Sequence, residues 1–434
     1  MRVLIIGSGG REHALAWSIK TGNAKTEIFA MPGNPGLSEL GSLLAGDPSD
    51  HAQVLSAVQG LKIDLVIVGP EVPLVEGLSD ALASAGVRVF GPTARAAAIE
   101  GSKAFSKKLM ADYKIPTASF EIATTLDEAR ALVERVSYPH VIKTDGLAAG
   151  KGALIIQNAA EATEAVDALM VKKQFGDAGN RIIFEEFMTG EEVSVFAIAS
   201  GERYTILPPS QDYKRALDGD QGLNTGGMGA YAPVEIWNSE LEERVRTEVI
   251  EATLHAMASE GRPYSGLLYA GLMVRDNRPK VVEFNCRFGD PETQAVVPIL
   301  DCDLLELMWE AADPTGGGAL PAANSTGKSA VCVVIASGGY PGASDLGHSI
   351  GGIQAAASAE GALIFQAGTG IESGRLVNRG GRVLNVVGLG PSLPTAREIA
   401  YGAAEQIDFQ GAFFRRDIAW RGMDTIRQRT GATG

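Results

Sequence analysis

Near residue 280 the chain reads VVEFNCRFGDPE, and within it Glu283 and Asn285 stand two apart. On a strand, alternate side chains share a face, so a carboxylate and an amide carbonyl would project together. Hard oxygen donors of this kind suit Mg²⁺ or Mn²⁺; Mg²⁺ in particular fills the rest of its shell with water and substrate phosphate. Arg287 extends the same face, and a guanidinium there can hold a transferring phosphoryl group or a developing acyl oxyanion. The exposed polar face of an ordinary antiparallel strand would look similar. Val281, Val282, Phe284, Cys286 and Phe288 alternate with it, however, so the polar stripe is read as facing something that rewards polarity.

A second stretch, VIKTDGLAAGKG over 141–152, gathers Lys143, Gly146, Gly150, Lys151 and Gly152 in one glycine-rich turn. It is not a Walker A loop. Only Leu147, Ala148 and Ala149 separate Gly146 from Gly150, Gly152 stands where Ser or Thr is required, and a strand-like ALIIQ follows instead of a helix. A glycine hairpin can still lay backbone N–H groups over a triphosphate while Lys143 points a cation at its phosphates; the alternative is a merely flexible hairpin. EEFMTGEEVSV supplies Glu185, Glu186, Phe187 and Glu192, which suits an adenine pocket followed by a carboxylate for ribose hydroxyls, or else a charged turn. SQDYKRALDGDQGLNTGGMGAY carries Asp212, Lys214 and Arg215 ahead of clustered glycines, and it is long for a simple connection.

The opening VLIIGSGGREHALAW has the strand, glycine turn and helix start of a dinucleotide site, but Glu12 occupies the third glycine position. The acidic residue expected at the end of the second strand is also missing from EIFAMPGNPG. A glycine turn feeding a helix N-terminus remains, fit for a phosphate or for nothing beyond a tight turn. The five histidines form no metal cluster pattern, and His13 and His140 are read as structural.

The elements that must position these residues fall into several units, as 434 residues require. RVLIIG, EIFAM, IDLVIVGP and VRVFGP read as parallel strands of an open α/β domain over 1–101. Residues 102–312 bring helix SKAFSKKLMADY, the strand pairs HVIK with GALIIQ and RIIFEEF with EEVSVFAIA, and a hairpin about Asn277, with a lid-like subdomain over 120–190. A linker, DPTGGGALPAANSTG, spans 313–327, and 328–426 form a small α+β domain. A net charge of −14 argues against nucleic acid or an anionic membrane as partner. Three cysteines without C-x-x-C spacing, and no apolar run long enough for a signal or membrane segment, point to the cytoplasm.

Taken in order, GSGGREHALAW, PGNPG, IVGPEVPLV, EGSKAFSK, IKTDGLAAGKG, SQDYKR, NTGGMGAY, YAGLM, EFNCRFGDPETQ, GGYPG and FFRRDI closely resemble the phosphoribosylamine–glycine ligase family of the ATP-grasp superfamily. Thr144 and Leu223 depart from its usual residues without touching a charged site. The resemblance implies a multidomain α/β and α+β chain with an ATP-grasp fold, and ligation of glycine to 5-phosphoribosylamine at the expense of ATP. It implies a monomeric enzyme with small-molecule partners only. Lys103 and Lys143 would then hold ATP phosphates beneath the 146–152 loop, Glu185, Glu186, Phe187 and Glu192 would frame the nucleoside, and Glu283 with Asn285 would bind Mg²⁺ or Mn²⁺. By the same resemblance Arg287 serves the acyl phosphate and Asp212 the glycine ammonium. Gly9, Gly10, Arg11, Asn34, Glu71, Lys214 and Asp290 would meet the substrates. Another carboxylate–amine ligase, a nucleotide-binding regulator and a dinucleotide oxidoreductase are the competing readings.

Overall fold

The computed structural model describes residues 1–148, 152–313 and 315–431, so the expected loop residues Gly150 and Lys151 lie outside the described residues. The chain opens with a five-stranded sheet in which Arg2–Gly7 lies between Glu27–Pro32 and Leu65–Val68, with Arg88–Phe90 and a short Ser42–Leu43 at the edges. All pairings are parallel. The run Val3–Ile6 is wholly buried because both faces are covered: Leu4 and Ile6 pack with Val54 and Val58, whereas Val3 and Ile5 pack with Leu15 and Ile19 of helix Gly10–Gly22. The two-residue edge strand is too short to carry an alternating or uniformly apolar pattern, which is why it escaped the sequence reading.

A four-stranded antiparallel sheet follows, ordered Phe120–Ala123, Ile182–Glu186, His140–Thr144, Ala153–Ile156. Helices Leu126–Arg135 and Ala159–Val166 give it a core of its own, including Leu132, Ile142, Val166 and Phe184. The expected pairing of RIIFEEF with EEVSVFAIA is corrected here. Ile182–Glu186 stays in this sheet, whereas Glu191–Ser200 joins a different one with Arg203–Ile206, Ser265–Arg275 and Arg278–Asn285. The chain between them crosses from sheet to sheet, and Gly190 makes the passage possible: at φ +154 it runs so close that a Cβ would lie 2.4 Å from the Val274 carbonyl oxygen. The hairpin expected about Asn277 is present, with Asp276 and Asn277 both at positive φ.

The last sheet, ordered Gln211–Asp212, Gly229–Ala232, Ser329–Ala336, Arg382–Gly390, Ala362–Gln366, takes its first two strands from the middle of the chain. Asp212 therefore sits on a strand that belongs to the C-terminal sheet. Helix Leu393–Ala404 covers this sheet, burying Ala396 and Ala400 against it. The connecting 313–327 stretch is fastened at both ends: Asp313 takes an ion pair from Arg88 at 3.0 Å, and Asn324–Ser325 pairs with Leu300–Asp301.

Candidate active site

Each of these units sends residues into one cavity of about 700 Å³. At one end, helix Lys103–Asp112 begins with Ser102, whose hydroxyl accepts the Phe105 N–H at 3.1 Å and donates to Asp145 at 3.0 Å. Asp145 also accepts the Ala104 N–H at 3.1 Å, and Lys103 Nζ donates to the Gly146 carbonyl at 2.7 Å. The helix start is thereby tied to the root of the glycine-rich turn. Farther in, Glu185 Oε2 receives Lys107 Nζ and Lys143 Nζ, each at 3.0 Å, and all three residues are buried. Glu185 Oε1 is buried without a hydrogen-bond partner among the described residues. Burial pushes the Lys107 ammonium down to about 8 against the pull of Glu185. Lys107 was missed from the sequence although it lies one helical turn beyond Lys103, a spacing that shares a face.

In the middle of the cavity Glu283 and Asn285 line the wall together, as their spacing requires. Burial opposes charge on Glu283, but Lys214, Lys143, Lys103 and Arg287 outweigh it and hold its carboxyl below the usual range. The Asn285 amide has no hydrogen-bond partner among the described residues. One anionic carboxylate beside one uncommitted amide is a donor set that fits a hard divalent cation with phosphate completing its shell. Among the described residues no group of three or more His, Cys, Asp and Glu is placed to hold a metal alone, so the nucleotide would have to supply the rest.

Arg287 is less free than its sequence position suggests. Its Nε lies 3.2 Å from Glu71 and its Nη2 3.5 Å from Glu100, both carboxylates of the first domain. Burial raises the Glu100 carboxyl, whereas Arg287 and Arg11 hold Glu71 down despite burial. Opposite, Lys214 Nζ pairs with Glu192 Oε2 at 2.7 Å and stands 4.0 Å from Asp212 Oδ1. Lys214 pulls the Glu192 carboxyl down, whereas burial, with Glu292 and Glu192 nearby, pushes Asp212 up to about 7.

At the far rim Arg11 donates to the Phe288 carbonyl at 2.9 Å and pairs with Glu12, and Asp290 pairs with Arg382 at 3.2 Å. Glu12 explains the failed dinucleotide pattern. Its carboxylate accepts the Gly9 N–H at 2.6 Å and fills the space over Gly7 and Gly69. Gly9, Gly10 and Asn34, expected at the substrate, do not line the cavity. Gly10 lies under Asn385 and Gln294, and the buried Asn34 amide is engaged with the Ser8 and Gln366 carbonyls at 2.8 Å each. Gly146 likewise contributes its carbonyl to Lys103 and is not part of the wall, whereas Gly152, Glu186 and Phe187 are. Arg382, Arg421, Glu100 and Glu292 line the cavity without having been foreseen. Arg382 reaches the Gly226 carbonyl across 156 positions of chain, a distance at which sequence offers no local signal.

Family models for the phosphoribosylglycinamide synthetase N domain, ATP-grasp (A) domain and C domain match residues 1–100, 101–293 and 330–421. A phosphoribosylamine–glycine ligase of Mesorhizobium japonicum is 47% identical over 97% of this chain and 98% of its own. The trifunctional purine biosynthetic protein adenosine-3 of Gallus gallus is 43% identical over 100% of this chain, which spans 43% of that longer protein. The crystal structure of a phosphoribosylamine–glycine ligase from Thermotoga maritima superposes with a TM-score of 0.84 at 36% identity, covering 96% of this chain and 100% of the other. The biotin carboxylase domain of Hydrogenobacter thermophilus 2-oxoglutarate carboxylase, at 14% identity and a TM-score of 0.72, shares the fold.

Proposed function

The chain belongs to the phosphoribosylglycinamide synthetase family, and from that premise we propose how its own residues carry out the ATP-dependent ligation of glycine to 5-phosphoribosylamine, the second step of purine biosynthesis. A carboxylate is a poor acceptor for an amine, because oxide would have to leave. Transfer of the γ-phosphoryl group of ATP to glycine gives glycyl phosphate; the amine of phosphoribosylamine then attacks its carbonyl carbon, and inorganic phosphate departs as the amide forms. Such chemistry depends mainly on positioning and charge neutralisation.

Glu185 Oε1, a buried acceptor without a partner among the described residues, suits the exocyclic amine of adenine, with Phe187 and Glu186 beside it. Lys143 and Lys103 meet the phosphates, and Glu192 lies within reach of ribose. Glu283 and Asn285 would hold Mg²⁺ or Mn²⁺, which neutralises phosphate charge when bound. Asp212 receives the glycine ammonium, and Arg287, its plane fixed by Glu71 and Glu100, faces the acyl phosphate. Arg11, Glu71 and Asp290 border phosphoribosylamine, and Lys214 orients Glu192 and Asp212 between the substrates. We further propose that the enzyme acts as a monomer in the cytoplasm; no described helix is long and apolar enough to cross a membrane.

The observation that carries this reading is the single cavity in which Lys143, Glu283, Arg287 and Asp212 converge. ADP release is measured with Mg·ATP, glycine, and phosphoribosylamine generated in place from ribose 5-phosphate and ammonia, separately and together. ADP with the amide product only when both are present is expected; turnover with a different carboxylate, or none despite ATP binding, overturns the assignment. In the same assay Glu283→Ala is expected to lower kcat/KM for Mg·ATP by roughly a thousandfold, within the range of lost transition-state charge stabilisation, with an unchanged circular dichroism spectrum. Full activity in that variant removes the cation assignment.

A further inference from the structure

Among the described residues the largest wholly buried side chain is an arginine that the reaction does not use. Arg415 lies in the FFRRDI segment, with its side chain 0% exposed. Its Nε and Nη2 both reach the Asp417 carboxylate at 2.7 Å, and Nη2 also reaches Asp220 Oδ1 at 3.0 Å. Nη1 donates to the main-chain carbonyl of Arg215 at 3.0 Å, and the guanidinium carbon lies 5.0 Å over the Tyr213 ring. Every face of the group is committed, as burial of a guanidinium demands.

The partners share one location. Tyr213 and Arg215 flank Lys214, so Arg415 grips the chain on both sides of the lysine that pairs with Glu192 and stands beside Asp212. The rest of the segment repeats the grip on the hairpin Arg215–Leu217 and Gln221–Asn224. Arg421 pairs with Asp220 and lies 4.8 Å over Tyr213. The Arg416 N–H donates to Asp218, and the Gly219 N–H donates to Asp417, each at 2.8 Å. Asp220 thus receives arginines from a segment about two hundred positions away in sequence, while lining the cavity itself.

We propose that Arg415 is a positioning residue for the reaction: through Asp220 and the Arg215 carbonyl it sets the place of Lys214, and with it the orientation of Glu192 and Asp212 toward nucleotide and glycine. This rests on the assignment of those carboxylates given above. Lysine cannot replace it, because an ammonium lacks the planar fork that bonds the Asp417 and Asp220 carboxylates and a carbonyl together. The phosphoribosylamine end, bordered by Arg11 and Asp290, meets this clamp only indirectly, through Thr225 on the Lys214 carbonyl and Arg382 between Gly226 and Asp290, so the larger effect falls on the other two substrates.

The test compares the full-length protein with Arg415→Lys, Asp220→Asn, the double variant, and Arg416→Ala, whose exposed side chain pairs with Glu405 and lies over the Phe414 ring. ATP affinity is read by calorimetry with Mg·ATP alone, so a wrong ligase assignment shows as missing wild-type turnover without silencing this readout. Expected for Arg415→Lys and Asp220→Asn are a roughly tenfold weaker ATP affinity and a similar rise in the KM for glycine, with the KM for phosphoribosylamine held within about twofold. The double variant should lose less than the sum of the two single ones, because both residues hold the same hairpin and share a contact. Arg416→Ala should match the wild type. Wild-type ATP affinity in folded Arg415→Lys, or equal losses toward all three substrates, overturns the proposal and leaves Arg415 a stability role. Should Arg415→Lys not fold, Asp220→Asn decides alone: unchanged ATP affinity there overturns the proposal as well.

Discussion

Asp212 shows how far a residue's surroundings can move its chemistry. In water its carboxyl would be ionised at any physiological pH, but here burial, reinforced by Glu292 and Glu192, brings it up to about 7. The ionised form attracts an ammonium, and the neutral form does not. Between pH 6 and 8 the free enzyme therefore gains glycine affinity as pH rises, and kcat/KM for glycine should climb along a limb centred near 7. Asp212→Asn should flatten that limb while lowering the rate throughout. A limb that survives the substitution belongs to another group and would move the ammonium away from Asp212. The same raised value works against the fold: the folded state holds the proton over the range in which the unfolded chain has released it, so this group's contribution to stability falls as pH rises from about 4 toward 7. Glu283, Asn285, Asp212 and Lys143 were legible because their neighbours in sequence are also their neighbours in the site. Their partners were not. Glu100 and Arg382 meet Arg287 and Asp290 only after the chain has folded, and no local pattern distinguishes them from ordinary surface charges.

At the scale of elements, strands and helices were readable where one face alternates or one run is uniformly apolar. Val3–Ile6 and the Asn277 hairpin follow from such patterns directly. The mistaken pairing of Ile182–Glu186 with Glu191–Ser200 has a physical origin. Two apolar strands separated by a short polar turn satisfy the rules for a hairpin, and only the approach of Gly190 to Val274 shows that the turn carries the chain from one sheet to another. That crossing puts Glu185 on one sheet and Glu192 on another, so the nucleotide site proposed above would lie between two sheets. The joint at the start of helix Lys103–Asp112 has a comparable consequence. Asp145 holds the helix N-terminus through Ala104 and Ser102 and also pairs with Arg181 at 3.1 Å, so one carboxylate fixes the chain where it leads into Gly146. Asp145→Ala should cost about 1 kcal/mol of stability, as for a lost helix cap, yet raise the KM for ATP by roughly tenfold with a smaller change in kcat. Thermal unfolding measured beside steady-state kinetics separates the two effects; an unchanged KM for ATP would show that the chain leading into Gly146 finds its place without Asp145.

Over the whole molecule, the first domain is held to the last sheet by contacts that look from sequence like a substrate site. Asn34 donates to the Gln366 carbonyl, and His13 Nδ1 accepts the Gln366 N–H at 2.9 Å, so together they grip both sides of one edge-strand residue. The His13 ring stands edge-on to Phe365 with centroids 5.5 Å apart, and Gly36 must lack a side chain to admit it. Burial brings the imidazole down to about 4, and the Gln366 N–H acts in the same direction, because a ring nitrogen that accepts an N–H must be unprotonated. The sign follows. The unfolded chain binds a proton to this histidine near 6.5 and the folded chain only near 4, so the stability it supports is complete above about 6.5 and is lost as pH falls toward 4. A gap of that size corresponds to roughly 3 kcal/mol. Urea unfolding at a series of pH values from 7 to 4.5 should therefore show a slope that is shallower in His13→Gln, whose amide oxygen keeps an acceptor without a titrating group. Parallel slopes in the two proteins would place the acid-sensitive joint elsewhere. Because the cavity wall is assembled from Arg11 and Glu71 of the first domain and Arg382 and Arg421 of the last, loosening this joint should lower activity before it unfolds the chain, and the loss of turnover should lead the loss of secondary structure on the way down in pH.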